Sequence, residues 1–444
     1  MRNQKGAITV GSIILIIILI IGLLFLFSMY RKNYFSGFEK AISVENATKF
    51  SRDSREKYSD NSSYKIENYN YNDAAFYKEI EVEPDTPYRI TCMVKTENVE
   101  RELKNEDGGV TIGLMDTTQY SYPIEGTNDW QKIEYVFNSH NLTTAKISFR
   151  LGGNTNKCKG TVWFSDFKLE KGIQNEDNEW KIGCFLINEL DVKINEKNYN
   201  LKMNLTDKEN VKLNIERFKD DCYQFSNKKM TVTYDTYEIK EPITTISYSD
   251  EHGYYISPKD VKEQIYPIVK ENEYDHIFVV CRMENDDGSM LIPIKDNWIG
   301  LGGMDMYGIG FSLVRINSRA NSYNYKYGIT NQAPEEVYLH EFLHTLERNC
   351  LEDGYETPAL HDYEKYGYNQ GGVEGLNEWY EDYMRKEIYD RATGTYVGLN
   401  DSVYTSQPYK SENFKYSIEE ELYDEPENLF EEIQAMFKVL TGKN

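Results

Sequence analysis

The sequence predicts a multidomain chain: an N-terminal transmembrane helix, an all-β sandwich, and then an α+β domain. Three observations predict it. Residues 13–27 read IILIIILIIGLLFLF, and no charged residue falls between Gly6 and Tyr30. From about residue 65 to residue 172, apolar and polar residues alternate with period two between turn-rich segments. Beyond residue 250, helical periodicity alternates with short apolar strands. A length of 444 residues gives room for two or three domains with their own cores. A hydrophobic content of 40% and an aromatic content of 14% exclude a disordered or collagen-like chain. The formal charge of −23 argues against sequence-independent nucleic-acid binding, which needs a basic surface to displace counterions.

Residues 1–32 are expected to form the membrane anchor. The apolar run can cross a hydrocarbon layer of roughly 30 Å at about 1.5 Å per residue. Arg2 and Lys5 precede it and Arg31 and Lys32 follow it, so the flanking charges orient it weakly. No small-residue cleavage site follows, which distinguishes it from a secretory leader. A short tail before the span and a large folded part after it favour a signal anchor with the C-terminal part outside the cell. The start, KGAITVGSI, resembles the leader of type IV pilin-like proteins, with cleavage after Gly6. That family's acidic fifth residue is replaced by Gly11. The six cysteines are scattered without a C-x-x-C pair, so neither a zinc ribbon nor a redox motif is visible.

Residues 33–64 are polar and read as a stalk. In the sandwich that follows, Tyr88, Ile90, Cys92 and Val94 share one strand face, as do Val110, Ile112 and Leu114. Ile133, Tyr135 and Phe137 share another, and Ile147, Phe149 and Leu151 a fourth. The segments YRITCMVKTENVE, NDWQKIEYVFNS and GTVWFSDFKLEKG resemble the jelly-roll carbohydrate-binding modules of secreted glycan-active enzymes, over residues 65–172. The resemblance implies a partner glycan at a cell surface or in a cell wall. It also implies a structural Ca2+ held with the help of Asp166. Trp130 and Trp163 could be either a sugar platform or core. Residues 173–250 read as a small strand-rich linking region of short strands and Lys/Asp/Asn turns.

The chemistry is expected in residues 251–444. His340-Glu341-Phe342-Leu343-His344 is an H-E-x-x-H pentapeptide within a helix expected from about Pro334 to Asn349. Positions i and i+4 lie one turn apart on one face, so both imidazoles can reach one ion. Zinc binds neutral imidazole and, in catalytic sites, keeps one position for water. Glu341 stands beside the first ligand, where it can take a proton from that water. The pentapeptide resembles the active-site motif of zincin-type metallopeptidases, which implies peptide-bond hydrolysis. The metzincin spacing H-E-x-x-H-x-x-G-x-x-H is not kept, because Glu347 and Cys350 replace the glycine and third histidine.

For the third ligand, His361 completes a three-histidine set. Glu378, in GLNEWYED, resembles the Asn-Glu of the gluzincin second helix, with Asp382 four residues on. Glu356 and Glu364 are further possibilities. Tyr366 or Tyr368 is a candidate oxyanion stabiliser. Before the helix, Tyr274–Cys281 reads as a buried strand preceded by a helix capped at Ser257, and Gly308–Ile316 as a further strand. Zincins offer the strand just before the active-site helix as an open edge to substrate. Gly300–Gly303 reads as a loop, and His276 as structural. An amphipathic helix is expected over residues 424–440.

The expected protein is thus a membrane-anchored extracellular zinc metallopeptidase, acting on a protein or glycoprotein beside a glycan-binding module. The competing reading is a non-enzymatic surface adhesin or pilin-like protein with a structural or vestigial zinc site. A third is a zinc hydrolase acting on a cell-wall amide.

Overall fold

A computed structural model describes residues 38–417, apart from 60–61, 105, 116, 154, 286–288, 297, 317–334 and 370–375. The apolar run of residues 13–27, Pro334 and the expected helix over 424–440 lie outside the described residues. Among the described residues no helix is long and apolar enough to cross a membrane.

The first unit is an antiparallel jelly-roll sandwich. One sheet has the order β1 (Glu39–Ile42), β4 (Ala74–Glu81), β8 (Thr144–Gly152), β6 (Gly109–Leu114). The other has the order β2 (Thr48–Asp53), β3 (Ser63–Asn72), β9 (Cys158–Gly172), β5 (Pro87–Arg101), β7 (Gly126–Asn138). The alternating residues read from the sequence meet between the sheets, where Ile90, Val94, Ile112, Ile133, Ile147, Phe149 and Leu151 share one core. The expected stalk is corrected: β1 and β2 belong to the sandwich, and Phe38 is buried against Tyr64, Phe149 and Phe167. Its polar composition misled because both strands lie at sheet edges, where few side chains point inward.

The second unit begins earlier than expected. β10 (Glu179–Ile187) enters its sheet directly, so residues 173–250 are no separate linking region. A hairpin of β11 (Glu189–Ile194) and β12 (Lys197–Lys202) leads to helix α1 (Leu205–Phe225), which the sequence reading missed. Its buried side includes Asp207, Asn210 and Asn214 beside Val211, Ile215 and Phe218, so polar residues blur the apolar stripe. Then come β13 (Thr231–Ile239), a small hairpin of β14 (Ser247–Ser249) and β15 (Gly253–Tyr255), and helix α2 (Pro258–Asn272). Ser257 and Asp260 form the expected capping box of α2.

The sheet is completed by β16 (His276–Arg282), β17 (Gly300–Met306) and β18 (Ile309–Ile316), in the order β13-β10-β16-β18-β17. The first four run parallel and β17 is an antiparallel edge. Both faces are covered. Phe278, Val280 and Val314 point to a core shared with α1 and with α3 (Glu336–Glu352), while Ile277, Val279 and Leu313 point to a core with α2. The unit is therefore a three-layer α/β/α arrangement, and its central strands are apolar on both faces, as a parallel sheet requires. Helix α4 (Asn377–Arg385) and the hairpin of β19 (Ile388–Asp390) and β20 (Thr395–Val397) follow. The chain then returns to the sandwich, where β21 (Phe414–Ser417) pairs with β9.

The two units are joined by ion pairs as well as by β21. Lys262 of α2 meets Asp107 of the sandwich at 2.8 Å, and Tyr307 donates to the same carboxylate at 3.0 Å. Lys259 and Glu106 lie 3.1 Å apart, and His140 and Asp353 3.2 Å. All six cysteines are buried and free.

Candidate functional site

Helix α3 carries two faces that do different work. Leu339, Phe342, Leu343 and Leu346 enter the core shared with α1, which fixes the rotation of the helix. That rotation leaves His340 and His344 on the half-exposed side and turns Glu341 and Thr345 toward β17 and β18. The close approach depends on glycine. A Cβ on Gly300 would lie 2.3 Å from Glu341 Oε1, and one on Gly302 2.4 Å from the Glu341 carbonyl oxygen. One on Gly310 would lie 2.6 Å from His276 Nδ1. Glycines within a strand mark such backbone contacts. The expected loop at Gly300–Gly303 is thus corrected to the start of β17. The open edge is also reassigned, because β18 lies inside the sheet and β17 forms its edge.

His340, His344 and His361 converge. One nitrogen of each lies within 4.8 Å of the others, and the Nε2 atoms of His344 and His361 are 3.2 Å apart. Two imidazole nitrogens on one tetrahedral zinc at about 2.05 Å would stand about 3.3 Å apart, so the donor set fits that ion. Burial, then the two neighbouring imidazoles, lowers the pKa of His340 to about 3, which keeps it in the neutral, ligating form. Burial likewise lowers His361. Glu341 is buried beside them, and burial raises its pKa to about 8 against the opposing hydrogen bond from the Gly302 N–H.

The imidazoles are held from behind. His344 Nδ1 donates to Glu347 Oε2 at 3.3 Å, while Glu347 Oε1 accepts the Leu360 N–H at 2.8 Å. One carboxylate therefore ties the helix to the loop that carries His361. His340 Nδ1 lies 3.0 Å from the Tyr380 hydroxyl, which itself bonds to Glu336. Such partners fix the tautomer and aim the opposite nitrogen. Glu347→Gln is expected to lower zinc affinity by about 10–100-fold with little loss of fold, measured by competition with a chromophoric chelator.

Helix α4 has a different part from the one expected. Glu378 is exposed on it and outside the cluster. Instead Trp379 donates to the Leu360 carbonyl at 3.0 Å, and Tyr383 to the Pro358 carbonyl at 2.9 Å, so α4 braces the His361 loop. Glu356 and Glu364 are exposed and also outside the cluster. Tyr366 and Tyr368, the candidate oxyanion stabilisers, pack on Trp379, with Tyr368 donating to Asp382. The phenol that does reach the cluster, Tyr380, stands behind His340. Its neighbourhood in sequence, an ordinary amphipathic pattern, carries no sign of that contact. Glu347 was given no role from the sequence, although its place one turn from His344 on the same face was the signal that could have found it.

His276 is structural, as expected. It is fully buried between Ser312 at 3.1 Å and Thr345 at 3.3 Å, and burial lowers its pKa to about 3. Ser312 in turn donates to the Glu341 carbonyl at 3.1 Å. Asp166 accepts two hydrogen bonds from Ser59 and joins no group of three metal-binding side chains among the described residues. Trp163 is buried and donates to Asp53 at 3.1 Å, whereas Trp130 is half-exposed beside Tyr58.

No family model matches the chain, and no curated protein matches it. Several solved structures do. A family 61 carbohydrate-binding module in complex with β-1,4-galactotriose is 15% identical over 30% of this chain and 88% of its own, with a TM-score of 0.22. A family 4 module is 14% identical over 30% and 88%, with a TM-score of 0.21. The xylan-binding family 22 domain of Paenibacillus barcinonensis Xyn10C is 11% identical over 30% and 85%, with a TM-score of 0.20. The sandwich assignment itself rests on the strand order.

Proposed function

We propose that the protein is a membrane-anchored extracellular metallopeptidase that hydrolyses peptide bonds in a protein or glycoprotein substrate. The observation that carries the reading is the convergence of His340, His344 and His361 beside the buried Glu341 carboxylate. Three imidazoles with no fourth side-chain ligand in the cluster among the described residues suit a catalytic rather than a closed structural zinc site. Zinc bound there would supply Lewis acidity and a water acidic enough to react near neutral pH.

The chain's own residues would do the rest. Glu341, fixed by the Gly302 N–H, takes up a proton on its carboxylate and returns it to the nitrogen of the departing amine. Strand β17 pairs with β18 alone among the described residues, so its other edge can bind an extended peptide through backbone groups. Glu347 and Tyr380 hold the imidazoles in register throughout. The apolar run of residues 13–27 supports the anchor, and the sandwich supports glycan binding near the site.

Digestion of a defined peptide library, followed by mass spectrometry, tests the activity. New termini should appear with the parent protein, vanish with a chelator and return with added zinc. Zinc binding without cleavage of any peptide would move the reading to the adhesin. Cleavage of cell-wall muropeptides alone would move it to a hydrolase of cell-wall amides.

A further inference from the structure

A cavity of about 520 Å³ lies between the two units, walled by β7 of the sandwich on one side and by α2, the β17–β18 turn and α3 on the other. It is a separate space from the histidine cluster but adjoins it. His344, Glu347, Arg348 and Glu352 line a groove along α3, and Arg348 and Glu352 also line the cavity. Arg348 follows His344 by one helical turn, about 6 Å along the axis. A chain bound at the cluster could therefore place a substituent in the cavity.

The lining has a definite chemistry. Tyr120 and Tyr135 come from the sandwich, and Tyr266 and Tyr307 from the α/β unit. Tyr266 and Tyr307 pack edge to face at 5.1 Å, and Tyr307 is fixed by Asp107 of the sandwich. Among these phenols stand Asp305, Glu352 and Arg348. Arg348 is half-exposed and makes no hydrogen bond or ion pair among the described residues, so its guanidinium is available to a ligand in the cavity. Asp305 accepts only the Gly308 N–H at 2.9 Å among the described residues and is otherwise open to the cavity.

These groups select against charged ligands. The wider lining also carries both signs, with Glu134, Glu273 and Asp275 against Arg89, Lys270 and Lys410, so a ligand of one charge meets like charge on part of the wall. A purely apolar group would offer no partner to Arg348 or Glu352 and would leave Asp305 with the Gly308 N–H alone. The remaining class is neutral, carries both donors and acceptors, and has apolar faces that can lie against phenol rings. We propose that this cavity binds a neutral saccharide, with Arg348 donating to its oxygens and Asp305 accepting from its hydroxyls. Placing that saccharide on the substrate that is cut rests on the metallopeptidase reading; binding itself does not. The site spans both units, so it is distinct from the Tyr58–Trp130 ring pair on the sandwich.

The test is calorimetric titration of the full chain, as the Glu341→Gln variant, with β-1,4-linked trisaccharides of glucose, galactose, xylose and N-acetylglucosamine. At least one should bind, and Arg348→Met and Asp305→Asn should each weaken it by about ten-fold or more. Asparagine keeps the acceptor for the Gly308 N–H, so the turn survives. Trp130→Ala should leave binding unchanged. Absence of binding for all four sugars would overturn the proposal. So would binding lost in Trp130→Ala but kept in the two cavity variants. If sugar binds as expected and the parent cleaves no peptide, the saccharide site stands and the peptidase reading fails.

Discussion

Glu341→Gln is expected to lower peptide hydrolysis by about 10²–10⁴-fold with zinc content unchanged. Glutamine has the same length and keeps an acceptor for the Gly302 N–H, so β17 and α3 stay in contact. It cannot hold the proton that must pass from water to the leaving nitrogen. The fold should not suffer, because the site is buried and a neutral amide is easier to bury than a carboxylate. A melting temperature equal to or above the parent's, together with the collapse in kcat/KM, would separate chemistry from stability. Full activity in the variant would remove Glu341 from the mechanism.

Gly302→Ala should have the second-largest effect, and through a different cause. The added Cβ would stand 2.4 Å from the Glu341 carbonyl oxygen and 2.9 Å from its Cα. These are backbone atoms of a helix held by its own core face, so neither can swing aside. Strand β17 must move, at a cost of about 1–3 kcal/mol of stability. The displaced strand would also withdraw the N–H that fixes the Glu341 carboxylate and misplace the edge offered to substrate. Thermal unfolding and kcat/KM should therefore fall together, while zinc content is retained, since the three histidines come from α3 and the loop after it. Unchanged activity and stability would show that β17 does not press on α3.

The sequence made the sandwich core and the motif legible because both depend on local period. The alternation at Ile90–Val94 and Ile147–Leu151 survives in any register, and i, i+4 histidines share a helix face wherever the helix lies. The third histidine was legible only as one of several donors, because its position depends on Trp379 and Tyr383 gripping the backbone of its loop. That is a tertiary fact. The same two residues explain why Glu378 attracted attention: the helix is indeed beside the site, but turned so that Tyr380 faces His340. Helix α1 was lost because its buried side mixes asparagine and aspartate with apolar residues. Asp207 there pairs with Arg282 at 2.5 and 2.8 Å, which accounts for a buried charge that reads as a turn signal in isolation. The cavity between the units is invisible to sequence, since its tyrosines come from segments more than a hundred residues apart in a chain with 37 of them.

The most direct test of the account is the zinc content of the purified protein and of His361→Ala and Glu378→Ala, by elemental analysis after dialysis against a weak chelator. The account predicts one zinc per chain in the parent and in Glu378→Ala, and loss of bound zinc in His361→Ala. A parent without zinc, or zinc kept in His361→Ala and lost in Glu378→Ala, would contradict it.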